Sequence, residues 1–203
     1  MLRIYHYDVI KDVLGFGNRL VFWVSGCPFT CNGCIEEKLQ SNKLGKEITS
    51  PDLFNQIKKI LPQIDGITFS GGEPLSQSYH ILDFLSYLPN DIDKMLFTGF
   101  NFSELKNEQI KCFNKFDLVV EGRFDINKMG KYLWRGSSNQ KFISPTQKYN
   151  PIIEDLYKAD SEGLNIKVNN KQIHFYGIPT HNDEIDKVRK KLELKDIILE
   201  FEE

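Results

Sequence analysis

The chain has 203 residues with 26 Lys and Arg against 28 Asp and Glu, so it is nearly neutral and lacks the strong basic excess that grips nucleic acid or an anionic membrane. Its apolar content of 40%, with 15 Phe, 8 Tyr and 2 Trp, supplies a core for one domain or for one domain with an appendage. No apolar run reaches the length of a bilayer span, and the start Met1-Leu2-Arg3-Ile4-Tyr5-His6-Tyr7-Asp8 lacks the apolar stretch of a signal peptide, so a cytoplasmic protein without membrane or nucleic-acid partners is expected.

In chain order, Leu20-Val21-Phe22-Trp23-Val24 is a continuous apolar run closed by Ser25-Gly26, as in a strand buried on both faces. Three cysteines follow at once, Cys27, Cys31 and Cys34. Ser50-Pro51-Asp52 supplies an N-cap, a first-turn proline and an early acid for a helix carrying Leu53, Ile57, Ile60 and Leu61. A second strand, Gly66-Ile67-Thr68-Phe69-Ser70, runs into Gly71-Gly72-Glu73-Pro74, and Ile81, Phe84, Leu85 and Leu88 mark the next helix. The strand Met95-Leu96-Phe97-Thr98 ends at Gly99, Ile110 and Phe113 suggest a helix, and Asp117-Leu118-Val119-Val120 ends at Glu121-Gly122.

Strand, helix, strand, helix with short links implies parallel strands joined by right-handed crossovers, with ligands at the carboxyl ends. Four or five such units are too few to close an eight-fold barrel. The expected fold is therefore α/β: an open partial barrel of mostly parallel strands over residues 1–149. Residues 150–203 are expected as a C-terminal appendage packed on it, with a hairpin at Ile166-Lys167-Val168 and Ile173-His174-Phe175 and a last helix carrying Ile185, Val188 and Leu192.

Three thiols in one eight-residue stretch fit a cubane iron-sulfur cluster with one iron lacking a protein ligand better than structural zinc, which wants four ligands, or a redox dithiol, which wants two. On the cysteines alone a zinc or incidental cysteine loop stays open. Gly71-Gly72 suits close approach of a ligand to a strand end, because glycine has no Cβ; a plain strand-to-helix turn is the other reading. Cys112 reads as core, and no acid-base role is assigned to His6, His80, His174 or His181.

The C-x3-C-x2-C spacing after the first strand, with Gly-Gly-Glu-Pro after the second, resembles the radical S-adenosylmethionine (SAM) superfamily. Gly15-Phe16-Gly17-Asn18-Arg19, Phe97-Thr98-Gly99-Phe100, Phe116 to Phe124, and Arg135-Gly136-Ser137-Ser138-Asn139-Gln140 resemble, over roughly residues 1–145, the activating proteins of anaerobic ribonucleoside-triphosphate reductase.

The resemblance implies that Cys27, Cys31 and Cys34 ligate a [4Fe-4S] cluster whose fourth iron takes SAM. It further implies that Gly71, Gly72, Glu73, Pro74, Thr98, Gly99, Arg135 and Ser137 bind the cofactor. The implied product is a glycyl radical on a large reductase subunit, with flavodoxin or ferredoxin as electron donor. Two other readings are a compact radical SAM enzyme acting on a small molecule or peptide, as in deazaguanine synthesis, and a non-catalytic iron-sulfur or zinc module. Gly33 stands where the superfamily usually has an aromatic residue, and Ile35-Glu36 where the activating proteins tend to carry Tyr-Asn.

Overall fold

The computed structural model describes residues 1–161, 164–169, 172–178, 187 and 190. The helix expected around Ile185, Val188 and Leu192 lies outside the described residues.

The chain opens with a long strand, β1 (Leu2–Lys11), that turns back into β2 (Asn18–Val24). The cysteine loop follows, then a short strand β3 (Lys46–Ile48) and helix α1 (Ser50–Ile57). Thr49, not Ser50, is the N-cap of α1, its hydroxyl accepting from the Asp52 amide; Ile60 and Leu61 fall beyond its end. Then come β4 (Gly66–Gly71), α2 (Ser78–Leu85), β5 (Asp93–Thr98), α3 (Asn107–Phe113) and β6 (Leu118–Glu121). The strands β7 (Met129–Tyr132), β8 (Arg135–Ser137) and β9 (Lys141–Ile143) lead to α4 (Ile153–Lys158) and the hairpin β10 (Leu164–Asn169) and β11 (Gln172–Gly177).

The fold is mixed α/β around a seven-stranded sheet of order β3-β1-β2-β4-β5-β6-β9. Its centre, β2, β4, β5 and β6, is parallel, as the alternating pattern predicts; β1, β3 and β9 add antiparallel strands at the sides. The registers align the carboxyl ends: Val24 stands beside Gly71, and Thr98 beside Glu121. One rim of the sheet thus collects the loops after all four parallel strands.

Both faces of these strands are buried, which is why they read as apolar runs instead of alternating ones. Leu20, Phe22, Ile67, Phe69, Leu96 and Val119 point to the helices and pack with Leu53, Ile57, Phe84 and Phe113. Val21 and Trp23 face the other way with Ile10, Leu14 and Tyr176, while Met95, Leu118 and Val120 pack with Trp134, Phe142, Tyr149 and Leu156. The expected hairpin forms, Ile166 opposite Phe175, with Asn169 paired to Gln172 and so inside the strand. Among the described residues no helix is long and apolar enough to cross a membrane.

Candidate functional site

The cysteines occupy the loop that leaves β2. Its base is pinned by backbone bonds, Gly26 N–H to the Leu39 carbonyl at 2.8 Å and Cys27 N–H to the Gln40 carbonyl at 3.1 Å, while Leu39 is fully buried. Within the loop, the Cys34 amide donates to the Cys31 carbonyl at 3.2 Å. All three thiols are free and partly exposed. Burial pushes the Cys27 thiol up to about 11, with Glu73 and the other two cysteines adding to the rise, and burial likewise raises Cys34.

The donor set is soft sulfur from one loop, suited to an iron-sulfur cluster. Among the described residues no three His, Cys, Asp or Glu side chains stand in a set that could hold one metal ion. A cubane takes its thiolates at separate iron corners, a wider arrangement than a single metal ion needs. The residues fit such a group.

Gly71 and Gly72 lie against this loop for a reason not visible in the sequence. Gly71 has φ +98°, and a Cβ there would stand 2.6 Å from the Val24 backbone; a Cβ on Gly72 would stand 2.5 Å from the Gly26 carbonyl oxygen. The close approach is to the protein's own backbone. It lets the Gly72 amide reach the Val24 carbonyl at 2.7 Å and the Glu73 amide reach the Gly26 carbonyl at 2.8 Å, so the second strand end holds the first.

Glu73 then ties in the third strand end. Its side chain is buried and its carboxylate accepts from the Leu75 amide (2.8 Å), the Thr98 hydroxyl (2.8 Å) and the Gly99 amide (2.7 Å). Burial outweighs these bonds and raises its pKa to about 7. Pro74, also buried, opens a single 3-10 turn, 74–77, before α2. A Cβ on Gly99 would lie 2.7 Å from the ring of Phe29, a member of the cysteine loop. That ring packs edge-on against Phe100 at 4.7 Å and under the Arg123 guanidinium at 4.3 Å. Arg123 is fixed in turn by two bonds to Glu104.

The run from Arg135 to Gln140 staples the fourth strand end. Gln140 accepts from the Gly136 amide at 2.7 Å and donates to the Gly122 carbonyl at 2.9 Å, and Asn139 donates to the Arg123 carbonyl at 2.8 Å. Ser137 is fully buried, its hydroxyl accepting from the Asp125 amide at 3.1 Å. Arg135 is engaged inside the protein. Its guanidinium lies among the rings of Tyr157 (4.6 Å), Tyr132 (4.9 Å) and Phe142 (5.3 Å) and donates to the Gln140 carbonyl.

The face of the sheet away from the helices encloses a cavity of about 540 Å³. Gly33, Cys34, Ser70 and Gly71 form one side, and Phe97, Phe124 and Trp134 part of another. Gly33 has φ +73°, and a Cβ there would stand 2.6 Å from Ile126, which accounts for a glycine before the third cysteine. The Trp134 indole N–H has no hydrogen-bond partner among the described residues.

Two residues have roles that the sequence does not reveal. Arg19 is buried at the opposite end of the strands, its guanidinium bonding Asp93 at 2.7 Å, Thr68 at 2.7 Å and the Ile67 carbonyl at 2.6 Å, so this arginine braces the sheet. Phe29 is the second, an aromatic wedge that nothing in the cysteine spacing announces.

Residues 13–143 match the family described as the 4Fe-4S single cluster domain. The anaerobic ribonucleoside-triphosphate reductase-activating protein of Enterobacteria phage T4 is 30% identical over 154 residues, covering 71% of this chain and 93% of that protein. The protein of the same name from Haemophilus influenzae is 32% identical over 68% of this chain and 94% of its own length, and that of Escherichia coli K12 30% identical over 67% and 95%. A cysteine loop pinned to three neighbouring strand ends and these similarities lead to one statement: the chain belongs to the 4Fe-4S single cluster domain family and to the anaerobic ribonucleoside-triphosphate reductase-activating proteins within it.

Proposed function

We propose that this chain is a radical SAM activase that generates a glycyl radical on a large anaerobic reductase subunit. The observation that carries the reading is the cysteine loop at the rim of the parallel strands, held against Gly71, Gly72 and Glu73 and opening on a cavity large enough for a cofactor and an entering segment. A [4Fe-4S] cluster held by Cys27, Cys31 and Cys34 would supply the single electron for reductive cleavage of SAM to methionine and a 5'-deoxyadenosyl radical, the species that would abstract hydrogen from a glycine Cα.

Cys27, Cys31 and Cys34 would hold three irons, giving up their thiol protons on doing so. Gly71, Gly72, Glu73, Pro74, Thr98 and Gly99 form the wall beside them. Glu73 supplies a buried acidic group behind that wall, biasing the site toward a cationic ligand, and fixes the spacing of two strand ends. Arg135 and Ser137 act through the staple, holding the end of β6 in place. The largely apolar lining of the cavity limits water beside a reactive carbon radical.

The sheet is read as a half-open (β/α) barrel over residues 1–149, with residues 150–203 as an appendage on it. A cytosolic setting with flavodoxin or ferredoxin as the one-electron donor completes the reading. The test is anaerobic reconstitution followed by incubation with SAM and a reductant, with and without the large reductase subunit. The reading expects 5'-deoxyadenosine, and with the partner a carbon-centred doublet in the EPR spectrum. A cluster indifferent to SAM overturns it.

A further inference from the structure

Hairpin β10–β11 lies outside the matched span of residues 13–143, yet it reaches the cavity beside the cysteine loop. Phe175, Tyr176, Gly177 and Ile178 line the same cavity as Gly33, Cys34 and Gly71. A two-stranded hairpin is marginal alone in water. This one is fastened: the Tyr176 phenol donates to Asp8 Oδ2 at 2.8 Å, Lys167 Nζ meets the same oxygen at 2.5 Å, and the Tyr176 ring lies 5.5 Å from Trp23. Tyr176 is 6% exposed and packs in the cluster of Ile10, Val13, Leu14 and Val21, so it behaves as core.

We propose that the hairpin is a fixed selectivity wall of the reaction chamber, with Phe175 and Ile178 deciding which protein segment reaches the cofactor site. The inference rests on the activase reading above. About 540 Å³ must hold cofactor and target together, and the hairpin's two apolar side chains face an already aromatic lining. An acidic residue entering there would lose its hydration beside Glu36, which lines the same cavity. Each surplus methylene in such a pocket costs roughly tenfold or more in rate. The wall therefore favours a segment whose reacting residue has no side chain.

The experiment uses the full chain as wild type, as the double variant Phe175→Ala/Ile178→Ala, and as Ile166→Ala, an exposed position on the same hairpin. First, the metal-free chain is alkylated with N-ethylmaleimide and each cysteine followed by peptide mass spectrometry. Cys34 lines the chamber, whereas Cys27 lines a separate cavity with Met1, Arg3 and His80. Cys34 should react at least about threefold faster in the double variant, with Cys27 and both cysteines of Ile166→Ala at wild-type rates. Equal Cys34 rates in all three overturn the wall.

Second, the reconstituted chain receives the large reductase subunit labelled with deuterium at glycine Cα. The deuterated share of 5'-deoxyadenosine should fall at least about threefold in the double variant, because the wider chamber admits other hydrogen donors. An unchanged share overturns the selectivity role. A wild-type chain that forms no 5'-deoxyadenosine overturns the function proposed above instead, and the alkylation rates still decide the wall.

Discussion

The carboxylate of Glu73 accepts the Gly99 amide at 2.7 Å, locking the loop after β4 to the loop after β5. The group that makes this contact is buried and titrates near neutrality, with burial as the main cause. Its native pKa of about 7 lies above the ordinary 4.5, so the folded chain binds a proton that the unfolded chain releases between those values. Stability from this group is full below about pH 4.5 and is lost as pH rises toward 7. Unfolding free energies at pH 5 and pH 8 should differ by at most about 3 kcal/mol on this account, and Glu73→Gln should flatten that part of the profile. A Glu73→Gln profile as steep as wild type contradicts the assignment.

Gly99→Ala tests the wedge. The new methyl group would stand 2.7 Å from the Phe29 ring at an ordinary glycine φ, so the strain is steric and local to the cysteine loop. Iron bound after reconstitution should fall to about half or less, and Phe29→Leu in the same chain should restore it by vacating the space. Failure of the double variant to recover iron would show that Gly99 matters for another reason.

Arg19 predicts a pure stability effect. It is 1% exposed and ion-paired with Asp93, whose carboxyl burial would raise but Arg19 and Lys148 hold low. Arg19→Ala leaves that carboxylate without its main partner and should cost about 3–5 kcal/mol, read from urea denaturation. A loss below about 1 kcal/mol would remove the bracing role.

Cys31→Ala should abolish cluster assembly and SAM cleavage while the far-ultraviolet circular dichroism stays near wild type, since the thiol is on a partly exposed loop and contributes nothing to the core. Assembly on the wild-type chain should also release protons, because the Cys27 thiol holds its proton up to about 11, and should run faster at pH 9 than at pH 7. A pH-independent rate would mean that deprotonation is not limiting.

The parallel strands were legible in the sequence because burial on both faces leaves unbroken apolar runs, as at Leu20 to Val24. The strand β1 was not, since its exposed Tyr5 and partly buried His6 and Asp8 break the pattern, and β7 to β9 are too short to carry one. At the site, Cys27, Cys31 and Cys34 announce themselves by spacing. What spacing does not reveal is direction: Glu73 turns inward to backbone donors, Arg135 into an aromatic cage, and Gly72 toward Gly26 instead of open space. Those choices depend on partners dozens of residues away, such as Leu39, Thr98 and Tyr157.

The backbone bonds that close the loop from Gly26 to Gln40 have a practical outcome. Loss of the inorganic core to air would empty a pouch whose neck stays tied, leaving the sheet behind it intact. A brief exposure to oxygen then costs an oxidised copy iron and sulfide without costing it the polypeptide.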